Sequence, residues 1–411
     1  MTHDRPHRRV PRPADVAALL RPRPVELGGT RRRLAAAATV ADLRRAARRR
    51  VPRAVFDYVD GGAGDELSLA RNRAGFARIE FRPRVLRDVS AVDTSATVLG
   101  SPCALPLVLA PTGFTRMMHH EGEVAVARAA GRAGVPYALS TLGTTSVAEL
   151  AAAAPGTRRW FQLYLWRDRE RSEDLVRRAA DAGYEALVLT VDAPVAGSRL
   201  RDVRNGMTLP PALTARTFVN GALRPGWWLD LLTTAPLEFA SLRQWGGTVA
   251  ELADQMFDPT ASLADLAHVR AVWPGNLVVK GVQSAEDALS VVEAGADAVV
   301  VSNHGGRQLD RAPVPLEELP AVVEALGGRA EVYVDGGVLS GADAVAAVCL
   351  GATAVLVGRA YLYGLMAGGG AGVRRALDIL GAEVRQTMQL LGTTSVKDLT
   401  PERVRLRPSD R

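Results

Sequence analysis

Eight short apolar runs rich in valine and leucine recur from Leu107 onward, separated by stretches of helical patterning: PLVLAPT, PYALST, RWFQLY, ALVLTVD, LVVKGV, AVVVSNH, EVYVDGG and AVLVGR. Strands that are apolar on both faces and alternate with helices predict parallel βαβ units, and eight of them over roughly 250 residues match a closed barrel. The expected fold is therefore α/β, a TIM (β/α)8 barrel over about residues 104–365. Upstream, ATVADLRRAARRR places apolar residues on one side of a helix that begins near Thr39. Pro52 fits the start of a second helix, VPRAVFDYVDGG, which Gly61 and Gly62 would end. These two form an N-terminal helical extension. The Pro- and Arg-rich residues 1–38 predict an irregular arm, leaving 39–411 as the main domain. After the fourth run the spacing lengthens. An insertion over about residues 198–274, containing RPGWWLDLL, predicts a lid.

Each apolar run finishes in polar or glycine residues: Thr112, Ser140, Gln162 with Tyr164, Thr190 with Asp192, Lys280, Ser302 with His304, Asp335, and Gly358 with Arg359. Barrel enzymes build their sites at the C-terminal ends of the strands, so these positions converge on one rim. The sixth run opens into SNHGGRQLD, which puts a base, His304, and a fixed cation, Arg307, at one mouth. A guanidinium grips a carboxylate through two parallel hydrogen bonds and an imidazole takes a proton near neutral pH, so the pair suggests chemistry on a small acid. A histidine and an arginine that merely tie down a loop are the alternative for either residue alone. The seventh and eighth ends, DGGVLSG and GRAYLYG, carry glycines opening toward helix starts. Backbone N–H groups and a helix N-terminus there favour a phosphate, with Arg359 adding charge.

Composition narrows the classes. A chain of 411 residues, 47% hydrophobic and 23% charged, can bury a large core, which excludes disorder throughout. Much of the +7 net charge lies in the first fifty residues, around Arg31 to Arg33 and Arg48 to Arg50. A polyanion or an anionic membrane could use such charge, but no aromatic residues interleave with it, which argues against nucleic acid. Cys103 and Cys349 are far apart and outside any C-x-x-C pattern, as in a reducing, cytoplasmic setting. The N-terminus lacks an apolar signal core, and the apolar run from Val345 to Val357 is broken by Gly351 and too short to span a bilayer. No G-x-G-x-x-G follows a strand, and the GGAG at Gly61 to Gly64 follows a helix, so a nicotinamide dinucleotide fold is not expected. His119 and His120 are adjacent rather than spaced as ligands, and no carboxylate cluster joins them in the sequence; no metal is expected.

FDYVDGGAGDE, APTG, HHEGE, FQLY, TVDAPVAGSRLRDVRNG, LVVKGV, SNHGGRQLD and DGG with a later GR carry a resemblance. From about Thr39 to the C-terminus the chain resembles the FMN-dependent L-2-hydroxy acid oxidising family, which includes glycolate and lactate oxidases, mandelate dehydrogenase and, most similar, the bacterial L-lactate dehydrogenases. The resemblance implies FMN across the strand ends. Pro111 and Thr112 would line its ring with Gly113 beside them; Ser140, Gln162 and Thr190 would bond the flavin edge. Lys280 would sit by N1 and the C2 carbonyl, where an ammonium stabilises the anion of the reduced flavin, with Ser302 also at the cofactor. Asp335, Gly336, Gly337, Gly358 and Arg359 would hold the ribityl chain and phosphate, although Leu339 stands where many members have arginine. Tyr58, Arg199 and Arg307 would take the substrate carboxylate and Tyr164 the charge developing near its hydroxyl. From the residues alone, Tyr58 reads equally as a core aromatic and Arg199 as a lid salt bridge. His304 would be the base, oriented by Asp192.

Two mechanisms use these residues, and the sequence leaves both open: His304 removes the α-proton, or it removes the hydroxyl proton while hydride passes to the flavin. Leu142, where glycolate oxidases have tryptophan, implies a pocket for lactate or a somewhat larger acid. Gly113 resembles the membrane-linked dehydrogenases, whereas many oxidases have alanine, which points to quinone or another acceptor rather than oxygen. Trp227 and Trp228 read as packing of the lid, with an interfacial anchor at the inner face of the membrane as the alternative. The resemblance further implies a homotetramer. A larger aromatic or specialised hydroxy acid, or a barrel that holds flavin or phosphate without turnover, are the competing readings.

Overall fold

The computed structural model describes residues 10, 12–19, 28–206, 221–245 and 256–408. Its eight apolar runs form one closed parallel barrel: β1 (Leu107–Leu109), β2 (Tyr137–Ser140), β3 (Arg159–Leu163), β4 (Ala186–Thr190), β5 (Asn276–Val282), β6 (Ala298–Val301), β7 (Glu331–Val334) and β8 (Ala354–Val357), with β8 closing onto β1. Each strand pairs with its sequence neighbour, as right-handed βαβ crossovers require. The reason for the unbroken apolar pattern is visible in β6, where Ala298, Val299, Val300 and Val301 are all fully buried, against the barrel interior on one face and the helical ring on the other. Burying each such valine contributes about 1.5–3 kcal/mol, so strand identity rests on many residues at once.

Register aligns the strand ends. Ser140 faces Gln162 across β2 and β3, and Thr190 faces Lys280 across β4 and β5. Between β5 and β6 the register slips at Lys280 to Val282. Gly281 occupies that bulge with φ 112°, and a Cβ there would lie 2.7 Å from the Cβ of Asp192. A side chain at this position would push Asp192 away from the rim.

The helical extension packs beneath the long C-terminal helix Arg359–Leu391, whose backbone is interrupted at Gly368 and Gly369. Helix Val40–Arg50 starts at Thr39, whose hydroxyl accepts from the Asp42 N–H while Asp42 accepts from the Thr39 N–H, and it buries Val40, Leu43, Ala46 and Ala47. Pro52 stands one residue before helix Arg53–Asp60, which ends at Gly61. The arm differs from expectation. Pro13–Leu19 and Gly29–Ala36 are helical, Leu34 is buried, and Arg33 Nε donates to the Ala367 carbonyl at 3.1 Å. The run RRRLAAA consists of good helix formers with one apolar anchor, and these outweigh the flanking prolines. Of the expected insertion, helices Leu200–Arg204, Pro225–Leu232 and Leu263–Val272 are described, and the last packs on Arg169–Asp181 as one of the outer helices of the barrel. Residues 207–220 and 246–255 of the lid expected over about residues 198–274 lie outside the described residues. Among the described residues no helix is long and apolar enough to cross a membrane.

Candidate active site

The loop after β6 turns sharply. His304, Gly305 and Gly306 follow one another with φ of 57°, 62° and 75°. For a histidine this left-handed conformation costs roughly 1–2 kcal/mol, and neighbouring contacts hold it. Gly306 could not carry a side chain, because a Cβ would lie 2.6 Å from the Leu69 backbone nitrogen. Asn303 exchanges side-chain amide hydrogen bonds with Asn72, both 2.8 Å, and accepts from the Gly306 N–H at 3.0 Å. So fixed, His304 places Nδ1 3.0 Å from Asp192 Oδ1 and turns the rest of its ring to the cavity. Burial pushes the Asp192 carboxyl up, but His304 and then Lys280 outweigh it and hold it below the usual carboxylate range. Asp192 is thus an anion behind the imidazole. Gln308 clamps the segment that carries it, donating to the Asp192 and Val195 carbonyls and accepting from the Gly197 N–H.

The same cavity carries a cationic wall built on one aromatic ring. The guanidinium carbons of Arg307 and Arg199 lie 5.1 and 5.5 Å from the Tyr58 ring centroid. Arg199 is paired with Asp202 at 2.8 Å, so it makes the salt bridge the residue-level reading allowed and also lines the cavity. Arg307 donates to the Tyr58 and Gly61 carbonyls but has no carboxylate partner among the described residues. Burial, then repulsion from Arg199, pulls its pKa down to about 10. A buried cation without a counter-ion is costly, and an anionic ligand would relieve that cost. Tyr164, at the end of β3, packs edge-on to Phe257. Burial, then Asp192 and Tyr58, raise its pKa, so its hydroxyl remains a donor.

The remaining rim is polar and incompletely paired. Lys280 is fully buried, 3.2 Å from Asp335 Oδ2 and donating to Ser302 Oγ at 3.0 Å. Burial alone would lower its pKa, but Asp335 and Asp192 raise it above the ordinary lysine value. Ser140 and the Thr141 N–H both donate to Gln162 Oε1, which fixes the amide. Among the described residues its Nε2 is left buried without a hydrogen-bond partner, as are Thr190 Oγ1 and Asp335 Oδ1. Each such orphan costs about 1–3 kcal/mol, so three near one rim mark a polar ligand's place. Among the described residues no acceptor takes the backbone N–H of Gly336, Gly337, Gly358 or Arg359 either.

These groups share a cavity of about 440 Å³, lined by Tyr58, Pro111, Thr112, Gly113, Ser140, Tyr164, Arg199, Lys280, His304, Arg307, Asp335, Gly336, Gly337, Gly358 and Arg359. Asp192, Gln162, Thr190 and Ser302 adjoin that lining, Asp192 at His304, Gln162 at Ser140, Ser302 at Lys280 and Thr190 in register with Lys280. One expectation is corrected. The helix start after β7 is closed to an anion, because the Leu339 and Ser340 N–H groups go to Asp343 at 2.9 Å each and the Gly341 N–H to Glu383 at 2.7 Å. Arg359 lines the cavity and commits three of its N–H donors to the carbonyls of Val59, Gly61 and Gly305. Sequence reasoning missed Asn72, Arg73, Gln308, Phe239, Met256 and Phe257. For Ser340 and Asp343 the signal was present, since S-x-x-D before an apolar run marks a capping box. The insertion also brings Asp230 within 3.2 Å of His120, the carboxylate that the sequence did not place beside that pair, but Arg50 and Arg116 line the same small cavity and oppose a cation there.

A family model described as FMN-dependent dehydrogenase matches residues 47–406. The chain belongs to the FMN-dependent dehydrogenase family. This FMN-dependent dehydrogenase is 58% identical over 398 residues to a putative L-lactate dehydrogenase of Mycobacterium tuberculosis, covering 97% of this chain and 96% of that protein. It is 47% identical to the 4-hydroxymandelate oxidase of Amycolatopsis orientalis, covering 87% of this chain and 95% of that one. Among solved structures, a monotopic membrane protein, (S)-mandelate dehydrogenase, superposes with a TM-score of 0.88 at 38% identity, covering 90% of this chain and all of that one. The donor set fits the cofactor. An unpaired amide, an unpaired hydroxyl and a buried ammonium match the alternating donors and acceptors of a flavin edge, and the four open backbone amides match a phosphate.

Proposed function

We propose that this enzyme oxidises an L-2-hydroxy acid, L-lactate foremost, to the 2-oxo acid, with His304 as the base and with electrons leaving FMN for a quinone or another acceptor. The observation that carries the proposal is the placement of Arg307, half-buried and without an acidic partner among the described residues, on the same cavity as the His304–Asp192 pair. A hydroxy acid fits between them. Arg307 and Arg199 take the carboxylate, with Tyr58 holding both guanidinium planes; neutralising that charge lowers the cost of removing a further proton from the substrate. Tyr164 donates to the hydroxyl oxygen as charge grows there. The imidazole nitrogen away from Asp192 takes the proton, from C2 or from the hydroxyl, and Asp192 stabilises the imidazolium that results. Gln162, Thr190, Lys280 and Ser140 would hold the flavin edge, and Gly336, Gly337, Gly358 and Arg359 the phosphate. FMN supplies the two-electron acceptor.

A second reading, a larger aromatic 2-hydroxy acid, is favoured by the apolar wall that Leu142, Phe239, Met256 and Phe257 add to the cavity. Anaerobic reduction of the bound flavin separates the two. Bleaching by L-lactate at a higher second-order rate than by L-mandelate supports the first; the reverse order supports the second. Bleaching by neither overturns both.

We also infer peripheral contact with an anionic membrane. Trp227 donates to the Met117 carbonyl at 2.8 Å and so packs inward, while Leu223, Leu229 and Leu232 on and beside helix Pro225–Leu232 face outward. Arg48, Arg204 and Arg224 line an adjoining groove. Apolar side chains beside cations match a bilayer interface. A homotetramer is the assembly proposed with it, from the family resemblance, and light scattering on the purified protein tests it.

A further inference from the structure

A bound phosphate needs a cation near the open amides of Gly336, Gly337, Gly358 and Arg359, and two arginines line that part of the cavity, Arg359 and Arg73. Arg359 already bridges three backbone carbonyls. Leu339, also on the lining, is apolar. Arg73 comes from helix Leu67–Ala77, far outside the barrel sequence. Its Nη1 donates to the Gly337 carbonyl at 2.8 Å and to Asp343 Oδ2 at 2.6 Å. Both bonds use one nitrogen, and Nε and Nη2 have no partner among the described residues. Asp343 is itself held by the Leu339, Ser340 and Asp343 N–H network of the capping box, so the guanidinium is anchored at one corner with its other edge uncommitted. The side chain is about half exposed, as the outer end of a cofactor site would be.

We infer that Arg73 is the phosphate-binding cation of this enzyme and stands in for the charge that Leu339 does not provide. The inference rests on the family's cofactor and not on the choice of substrate. A guanidinium fixed by a carboxylate and a carbonyl, with two nitrogens uncommitted and on the same cavity as a cluster of open backbone amides, provides the forked donor set that phosphate accepts. The Asp343 carboxylate sets the position of that fork and reduces its charge, so the geometry of the donors contributes more than net charge.

Riboflavin, which has the same ring system and no phosphate, isolates the effect. Apo-protein is titrated with FMN and with riboflavin, following the quenching of flavin fluorescence. The wild type binds FMN well over tenfold more tightly than riboflavin. Arg73→Ala weakens FMN by roughly 10- to 100-fold, the span expected for lost charge-assisted hydrogen bonds, and leaves riboflavin within a factor of two. Arg73→Gln, which keeps a donor for Gly337 and Asp343 and so protects the fold, loses FMN affinity to the same extent. Adding Leu339→Arg to either variant restores the preference for FMN. Equal weakening of both flavins would make Arg73 a structural tie and overturn the inference, as would unchanged FMN affinity in both variants or a wild type that does not distinguish the two flavins.

Discussion

The imidazole of His304 and the carboxylate of Asp192 meet at 3.0 Å although 112 residues separate them in the chain. A glycine bulge at Gly281 clears the space for Asp192, and a left-handed turn aims His304. The carboxylate lies behind the ring, so its effect is on orientation and charge. Asp192→Asn should keep the flavin bound and lower kcat by about 10²–10⁴, measured by stopped-flow reduction. The same variant tests the linkage. The pKa of Asp192 in the folded state is depressed, so its contribution to stability is complete above the ordinary aspartate value of about 3.9 and is lost as pH falls through the folded value. The melting temperature of the wild type should therefore drop more steeply on acidification than that of Asp192→Asn.

Arg307, which has no acidic partner among the described residues, predicts a specific defect. Arg307→Met should raise KM for the hydroxy acid roughly 10- to 100-fold, as expected for a buried charged hydrogen bond, while flavin absorbance is retained. Because its pKa is pulled down to about 10, the wild type should lose substrate affinity as pH rises through that value. Steady-state KM across pH 8 to 11 checks this.

Gly113 and Leu142 are in contact across the ring site. A Cβ at position 113 would lie 2.8 Å from the Leu142 Cβ. Gly113→Ala should cost roughly 1–3 kcal/mol of stability by overpacking, and Leu142→Gly, which removes the Cβ in the way, should make that substitution cost less in the double variant than it does alone. Urea unfolding of the two single variants and the double variant measures the coupling.

The outward leucines give a fourth prediction. Replacing both Leu229 and Leu232 with Asp should abolish co-flotation with vesicles containing anionic phospholipid and leave turnover with a soluble acceptor unchanged. Salt should weaken the wild-type interaction, because the neighbouring arginines are solvent-screened.

Most of the barrel was legible because its signal repeats. Every apolar run became a strand, since a strand buried on both faces keeps its few polar residues to the end where a site can use them, and the polar residues near the end of each run therefore announce the rim. Asn72, Arg73 and Gln308 gave no such signal. They reach the site from a helix and a loop, where no periodicity marks a residue that faces a cavity. Arg359 illustrates a different limit. Its position at the end of β8 was clear, but the three carbonyls it bridges come from Val59, Gly61 and Gly305, and sequence does not show which distant backbone atoms will compete for a donor. The helix at Gly29–Ala36 was hidden for a compositional reason, since prolines and glycines flank a short run of strong helix formers.

Those three carbonyls have a mechanical meaning. Through one planar group, the helix that presents Tyr58 and the turn that presents His304 are fastened to the second residue after β8, beside the open amides at the outer end of the cavity. Anything that seats itself on those amides also stiffens the jaw that grips the acid and the tooth that takes its proton. Loading the prosthetic group and assembling a competent mouth should then be one event, and an empty barrel should have loosened gums on both sides at once.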